Sequence, residues 1–123
     1  MKNEELTGLI LKCAFDVSNQ LGCGFLEKVY EKALIVSLEN SGVSAVSQKS
    51  IEVRYRGISV GSYFADVLVE NRVILEIKAT EGFRDEHVAQ ILNYLRATGM
   101  PLGLLLNFGQ PKLHFRRFHN KWI

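Results

Sequence analysis

The sequence predicts an α/β domain with a mixed sheet flanked by helices, and three observations carry that prediction. Apolar residues first recur at intervals of three and four, the signature of amphipathic helices. Three segments rich in Val, Ile, Tyr and Phe then follow one another across connections too short for anything but antiparallel hairpins. Finally, a helix of roughly fifteen residues precedes an almost wholly apolar run, and a crossover of that length returns a strand parallel to its predecessor.

The elements follow in order. From Leu6 to Leu21 the residues Leu6, Leu9, Ile10, Cys13, Ala14, Val17 and Leu21 form one helical stripe, which ends at Gly22-Cys23-Gly24. A second stripe runs through Phe25, Leu26, Val29, Tyr30, Ala33, Leu34 and Leu38 until Ser41-Gly42 stops it. Strands are expected from about Val46 to Tyr55 and from Ile58 to Val69, with Arg56-Gly57 as the turn. A third, Val73 to Ala79, follows the short loop Glu70-Asn71-Arg72. After Thr80-Glu81-Gly82 comes a helix with Val88, Ile91, Leu92 and Leu95 on one face, Asp85 and Glu86 at its positive end, and Gly99 and Pro101 as its stop. Leu102 to Phe108 reads as a strand covered on both faces, and Leu113 to Phe118 as a last, basic strand.

Composition narrows the class of protein. With 123 residues, 47% of them hydrophobic and 23% charged, residues 1–123 are expected to form one domain around one core. Two cysteines do not make a disulfide framework, and a reducing, cytoplasmic setting fits them best. The N-terminal Met1-Lys2-Asn3-Glu4-Glu5 lacks the cationic, then apolar, character of an export signal, and no apolar stretch approaches the roughly 20 residues that span a bilayer. The net charge of +2 conceals a division: residues 1–86 hold all 13 acids, whereas residues 87–123 hold none. The C-terminal stretch with Lys112, Arg116 and Arg117 is therefore a candidate for phosphate contact, although a basic edge strand serves solubility as often.

The chemistry concentrates on the second and third strands. If the connecting loop comprises Glu70 to Arg72, Val69 pairs with Val73 and Asp66 stands directly opposite Glu76; a two-residue turn would shift this by one. Period two places Glu76 and Lys78 on one face and Leu75 and Ile77 on the other. An isolated Glu-x-Lys is usually a solvated edge pair, but a facing Asp66 changes the balance. Two adjoining carboxylates repel unless a proton or cation lies between them, and hard oxygen donors suit Mg²⁺ or Mn²⁺. A neighbouring ammonium could orient the attacking water or offset charge on a phosphate. Gln90 and Tyr94, four apart on the crossover helix, could steady Lys78, while Glu27 is a further acid near the start of the second helix, where the dipole alone favours one. His87, His114 and His119 lie on separate elements, which argues against a zinc hydrolase.

Gly24-Phe25-Leu26-Glu27-Lys28-Val29-Tyr30 resembles the pattern that names the GxxExxY family. Asp66 followed by Glu76-Ile77-Lys78 resembles the signature of the PD-(D/E)xK nuclease superfamily, with Ala65 where the name has Pro, and Gln90 to Tyr94 resembles the QxxxY element of its exonuclease-like branch. The resemblance covers nearly the whole chain and implies a restriction-endonuclease-like core. It further implies Asp66, Glu76 and Glu27 as metal ligands and Lys78 as the catalytic amine, with Gln90 and Tyr94 beside it.

The expectation is therefore Mg²⁺- or Mn²⁺-dependent hydrolysis of DNA, with RNA not excluded. A homodimer is plausible, since cutting both strands of a duplex takes two sites. The alternative is a nucleic-acid-binding or partner-binding module that keeps the fold with little turnover.

Overall fold

A computed structural model describes residues 1–123. The order of elements is α1 (Asn3–Leu21), α2 (Glu27–Asn40), β1 (Ala45–Tyr55), β2 (Ile58–Val69), β3 (Val73–Lys78), α3 (Asp85–Thr98), β4 (Leu102–Asn107) and β5 (His114–His119). The strands form one sheet in chain order, and every neighbouring pair is antiparallel except β3 and β4, which the α3 crossover makes parallel. This is the mixed α/β sheet expected. No helix is long and apolar enough to cross a membrane.

Helices cover both faces of the sheet. Leu6, Ile10 and Ala14 of α1 and Tyr30, Leu34 and Leu38 of α2 pack on Val67, Leu75, Leu104 and Leu106, the larger core. Ile91 and Leu95 of α3 lie over the other face, where Leu95 and Tyr94 join Ile74, Leu68, Ala65 and Ile51 in a smaller core. Central strands buried on both sides cannot alternate apolar with polar residues, and all six residues of β4 are buried. Gly103 in β4 admits α3 closely, because a Cβ there would meet Ile91 Cδ1 at 2.9 Å.

The second helix departs from its apolar stripe. It begins at Glu27 rather than Phe25, and Leu26, 82% exposed, precedes it. The hydroxyl of Tyr30 accepts the N–H of Phe25 at 3.2 Å and donates to the carbonyl of Gly22 at 2.6 Å, which holds this stretch as a turn. Gly24, at φ 115°, supplies backbone that other residues rarely adopt. The buried face of α2 is consequently Tyr30, Glu31, Leu34 and Leu38, one of them an acid.

Two features of the sheet prepare the site. Val69 pairs with Val73, so the three-residue loop sets the register, but the β2–β3 pairing ends at Val67 and Leu75. Beyond that pair β2 parts from β3 and continues with β1 as a hairpin arm. At the same level Gln48, with a left-handed φ of 52°, lies opposite Asp66 between the pairs Ser47–Val67 and Lys49–Ala65. Ser47 reaches α2, whereas Ile51 packs on the α3 side. Since residues an even number apart on a regular strand share a face, β1 changes face at Gln48.

Candidate active site

The fork between β2 and β3 is where the chemistry collects. Asp66 stands at its crotch, and Oδ2 accepts the backbone N–H of Ile77 at 2.7 Å, taking the place that a strand carbonyl would otherwise fill. Glu76 projects to the same face from β3 and is only 2% exposed. Its Oε1 is buried with no hydrogen-bond partner, a costly state for a carboxylate. Burial, followed by the charge and hydrogen bonding of the adjacent Asp66, pushes the Glu76 carboxyl from 4.5 up to about 10, with Lys78 pulling weakly the other way. In the metal-free protein Glu76 therefore holds a proton at neutral pH, as two acids sharing one enclosure require.

Lys78 follows on the same face at the end of β3 and is half-buried. Its Nζ donates to Gln90 Oε1 at 3.3 Å, and Gln90 Nε2 donates to the Tyr94 hydroxyl at 2.9 Å. Burial raises the Tyr94 phenol above its usual range, so it stays a neutral partner. The helical spacing of Gln90 and Tyr94 thus forms a polar chain that fixes the ammonium beside Glu76.

Glu27 arrives from the other side of the sheet. As the first residue of α2 it reaches the end of β3, and its Oε2 accepts the N–H of Ala79 at 3.0 Å. No three acid, histidine or cysteine side chains form a ready-made cluster for an ion. The Glu27 carboxylate is engaged with backbone.

Several residues that support this end of β3 escape a reading of the sequence. Asn107, fully buried at the tip of β4, accepts the N–H of Thr80 at 3.0 Å and of Gly109 at 2.9 Å, and donates to the Thr80 carbonyl at 3.0 Å. The N–H of Phe108 donates to the Lys78 carbonyl at 2.8 Å, and Tyr30 stacks on the Phe108 ring at 4.8 Å. Gly109 passes so near Thr80 that a Cβ would lie 2.3 Å from its nitrogen. A lone Asn closing an apolar strand was the available signal. Glu31 is the other omission. Buried on α2, it accepts Ser47 Oγ at 2.7 Å and Gln48 Nε2 at 3.0 Å, fastening the point at which β1 changes face opposite Asp66.

The basic tail does not form one patch. Arg116 pairs with Leu105, itself the neighbour of Glu76, while Arg117 pairs with Leu104 and turns to the α1 side, where it borders Asn3 and Glu4. Alternation along an edge strand separates the two arginines, and Lys112 lies in the loop before β5.

Next to the carboxylates, between α3 and the β1–β2 arm, opens a cleft of about 870 Å³ whose walls include Arg54, Tyr63, Gln90, Asn93, Tyr94 and Arg96. Gln90 and Tyr94 belong to both the cleft and the site.

Residues 4–118 match the family model of the PD-(D/E)XK nuclease superfamily. Among solved structures, the chain is similar to a protein designated SSO0001, with 17% identity and a TM-score of 0.57 over 76% of this chain and 50% of that one. It is also similar to an alkaline exonuclease (LHK-Exo) from Laribacter hongkongensis, with 12% identity and a TM-score of 0.52 over 88% of this chain and 76% of that one. The same exonuclease in complex with dAMP aligns with 12% identity and a TM-score of 0.52 over 92% and 81%. At these identities the likeness is one of fold, and the chain spans half the length of the first of these structures. No curated protein matches the chain.

Proposed function

The chain belongs to the PD-(D/E)XK nuclease superfamily, and from that membership we propose that it hydrolyses DNA phosphodiesters with Mg²⁺ or Mn²⁺ at the fork holding Asp66, Glu76 and Lys78. The observation that carries this reading is the buried, unpartnered oxygen of Glu76 beside a second carboxylate. Each acid keeps an oxygen that no protein donor engages in the observed hydrogen bonds, and both are hard donors. Mg²⁺ commonly takes one or two carboxylates and retains water in its other positions, so Asp66 and Glu76 suffice as protein ligands. Glu27 then contributes by holding Ala79 and the end of β3. The same Glu27, with Gly24 and Tyr30, supports a place in the GxxExxY branch of the superfamily.

A bound dication supplies Lewis-acid stabilisation of the charge that grows on the phosphoryl oxygens. The remaining work falls to the protein. Asp66, tied to Ile77, and Glu76, enclosed in the sheet, have little freedom to reorient, so the site is set before substrate arrives. Lys78, held by Gln90, presents an N–H to the attacking water or to a phosphate oxygen. Phosphodiester hydrolysis needs a barrier reduction on the order of 20 kcal/mol, which positioning and concentrated positive charge together can supply.

The test is cleavage of DNA by the purified chain with Mg²⁺, with Mn²⁺ and with chelator, alongside Mn²⁺ calorimetry. Asp66→Ala should abolish both cutting and the heat of Mn²⁺ binding. Lys78→Ala should retain the heat and cut at least about 100-fold more slowly, the scale on which loss of one charge-stabilising group is felt. Variants that remain folded and cut like the parent overturn the assignment. DNA binding without cleavage under any metal makes the chain a binding module on the same fold.

A further inference from the structure

The cleft between α3 and the β1–β2 arm takes no part in holding an ion, yet it shares Gln90 and Tyr94 with the site. Tyr63 of β2 stands at its edge, half exposed, with its ring centroid 6.0 Å from that of the buried Tyr94. Across the cleft α3 offers the exposed amide of Asn93, which can both donate and accept.

The charges lining the cleft disfavour a phosphate. Arg54 is bound to Glu52 at 2.5 Å, and Arg96 lies over the Trp122 ring at 5.0 Å. Glu86 brings a second acid, paired outward with Arg84 at 3.3 Å. Both acids on these walls are thus paired with arginines and only Arg96, packed on an indole, lacks an acid partner, a single cation rather than the cluster that a polyanionic backbone calls for. An uncharged planar group with polar edges matches these walls better, because an aromatic face and a neutral amide are what they leave available.

We infer that this cleft receives an unpaired nucleobase, stacked on Tyr63, from the strand whose phosphate lies at Lys78. The inference rests on the proposed function for the identity of that strand. A base inside a duplex already has its faces stacked and its edge paired, so only a strand end, a flap or a single strand can offer one to Tyr63. The substrate would then be DNA unpaired next to the scissile bond.

Binding in the presence of chelator tests this without any cleavage. A fluorescein-labelled short oligothymidylate and the same oligomer with abasic sugars in place of bases are titrated by anisotropy against the parent, Tyr63→Ala and Tyr63→Phe. Thermal melts confirm that the variants fold. Tyr63→Ala should weaken binding of the base-bearing strand about tenfold, within the range that loss of one stacking contact produces. Tyr63→Phe, which keeps the ring, should match the parent, and the abasic strand should bind parent and Tyr63→Ala alike. Equal binding of the base-bearing strand by parent and Tyr63→Ala overturns the inference. A chain that never cuts but distinguishes the strands in this way sinks the nuclease proposal and upholds the cleft; a chain that cuts with Mn²⁺ yet ignores the Tyr63 change does the reverse.

Discussion

Glu76 couples the site to the stability of the whole chain. Its carboxyl titrates near its ordinary value of 4.5 when unfolded and at about 10 when enclosed beside Asp66, so the folded state binds the extra proton between those limits. Stability is accordingly greatest below the lower limit and falls as pH rises toward the upper one, by no more than about 1.4 kcal/mol per pH unit for a single group. Melting temperature measured in chelator at pH 5 and pH 9 should drop for the parent and much less for Glu76→Gln, which cannot ionise. Added Mn²⁺ should restore the parent at high pH, because the ion replaces the proton. A parent as pH-insensitive as Glu76→Gln would show that the carboxyl is not held protonated by its surroundings. The placement of these residues was legible beforehand: loop length and period two bring Asp66, Glu76 and Lys78 together, and helical spacing brings Gln90 to Tyr94. The reach of Glu27 to Ala79 was not, since a bond between residues 52 apart depends on how α2 seats against the sheet.

At the scale of elements, hairpins and crossover are fixed by short-range signals, and most boundaries lie within a few residues of those expected. The start of α2 is the exception. Phe25, Leu26 and Val29 continue an apolar stripe yet remain substantially exposed, and periodicity cannot tell a buried face from an apolar surface. The face change in β1 was likewise invisible, because it arises from Glu31 on a different element. Replacing Glu31 with Ala leaves the Ser47 hydroxyl and the Gln48 amide without their acceptor and frees a left-handed, non-glycine backbone. Because Ser47 and Gln48 are exposed and can bond water instead, the expected loss is about 0.5–1.5 kcal/mol of stability, the net worth of an ordinary hydrogen bond. Because Gln48 faces Asp66, Glu31→Ala should also weaken Mn²⁺ binding by calorimetry at a temperature where the variant is folded, while Glu31→Gln, which keeps an acceptor, should fall between. Lower stability with unaltered Mn²⁺ affinity would confine Glu31 to a structural role.

For the whole molecule, the sheet turns a charge asymmetry in sequence into one in space. The acid-free C-terminal stretch reads as a single basic feature, but β5 is an edge strand and sends consecutive residues to opposite layers. Arg116 falls two strands from Glu76 on the α3 face, with its guanidinium over Phe118 at 5.1 Å, whereas Arg117 belongs to the α1 side, which lacks the carboxylates. With neighbouring strands about 4.8 Å apart, Arg116 lies on the order of 10 Å from Glu76, the reach of a phosphate one or two nucleotides from the scissile one. Each phosphate neutralised contributes about 0.7 to 0.9 to the slope of log affinity against log salt concentration. Arg116→Ala should therefore reduce that slope by nearly one for DNA bound in chelator, and Arg117→Ala should leave it unchanged although it removes the same formal charge. Equal reductions would mean that DNA responds to the net charge of the tail rather than to the face of the sheet, and the strand alternation that separates the two arginines would have no bearing on binding.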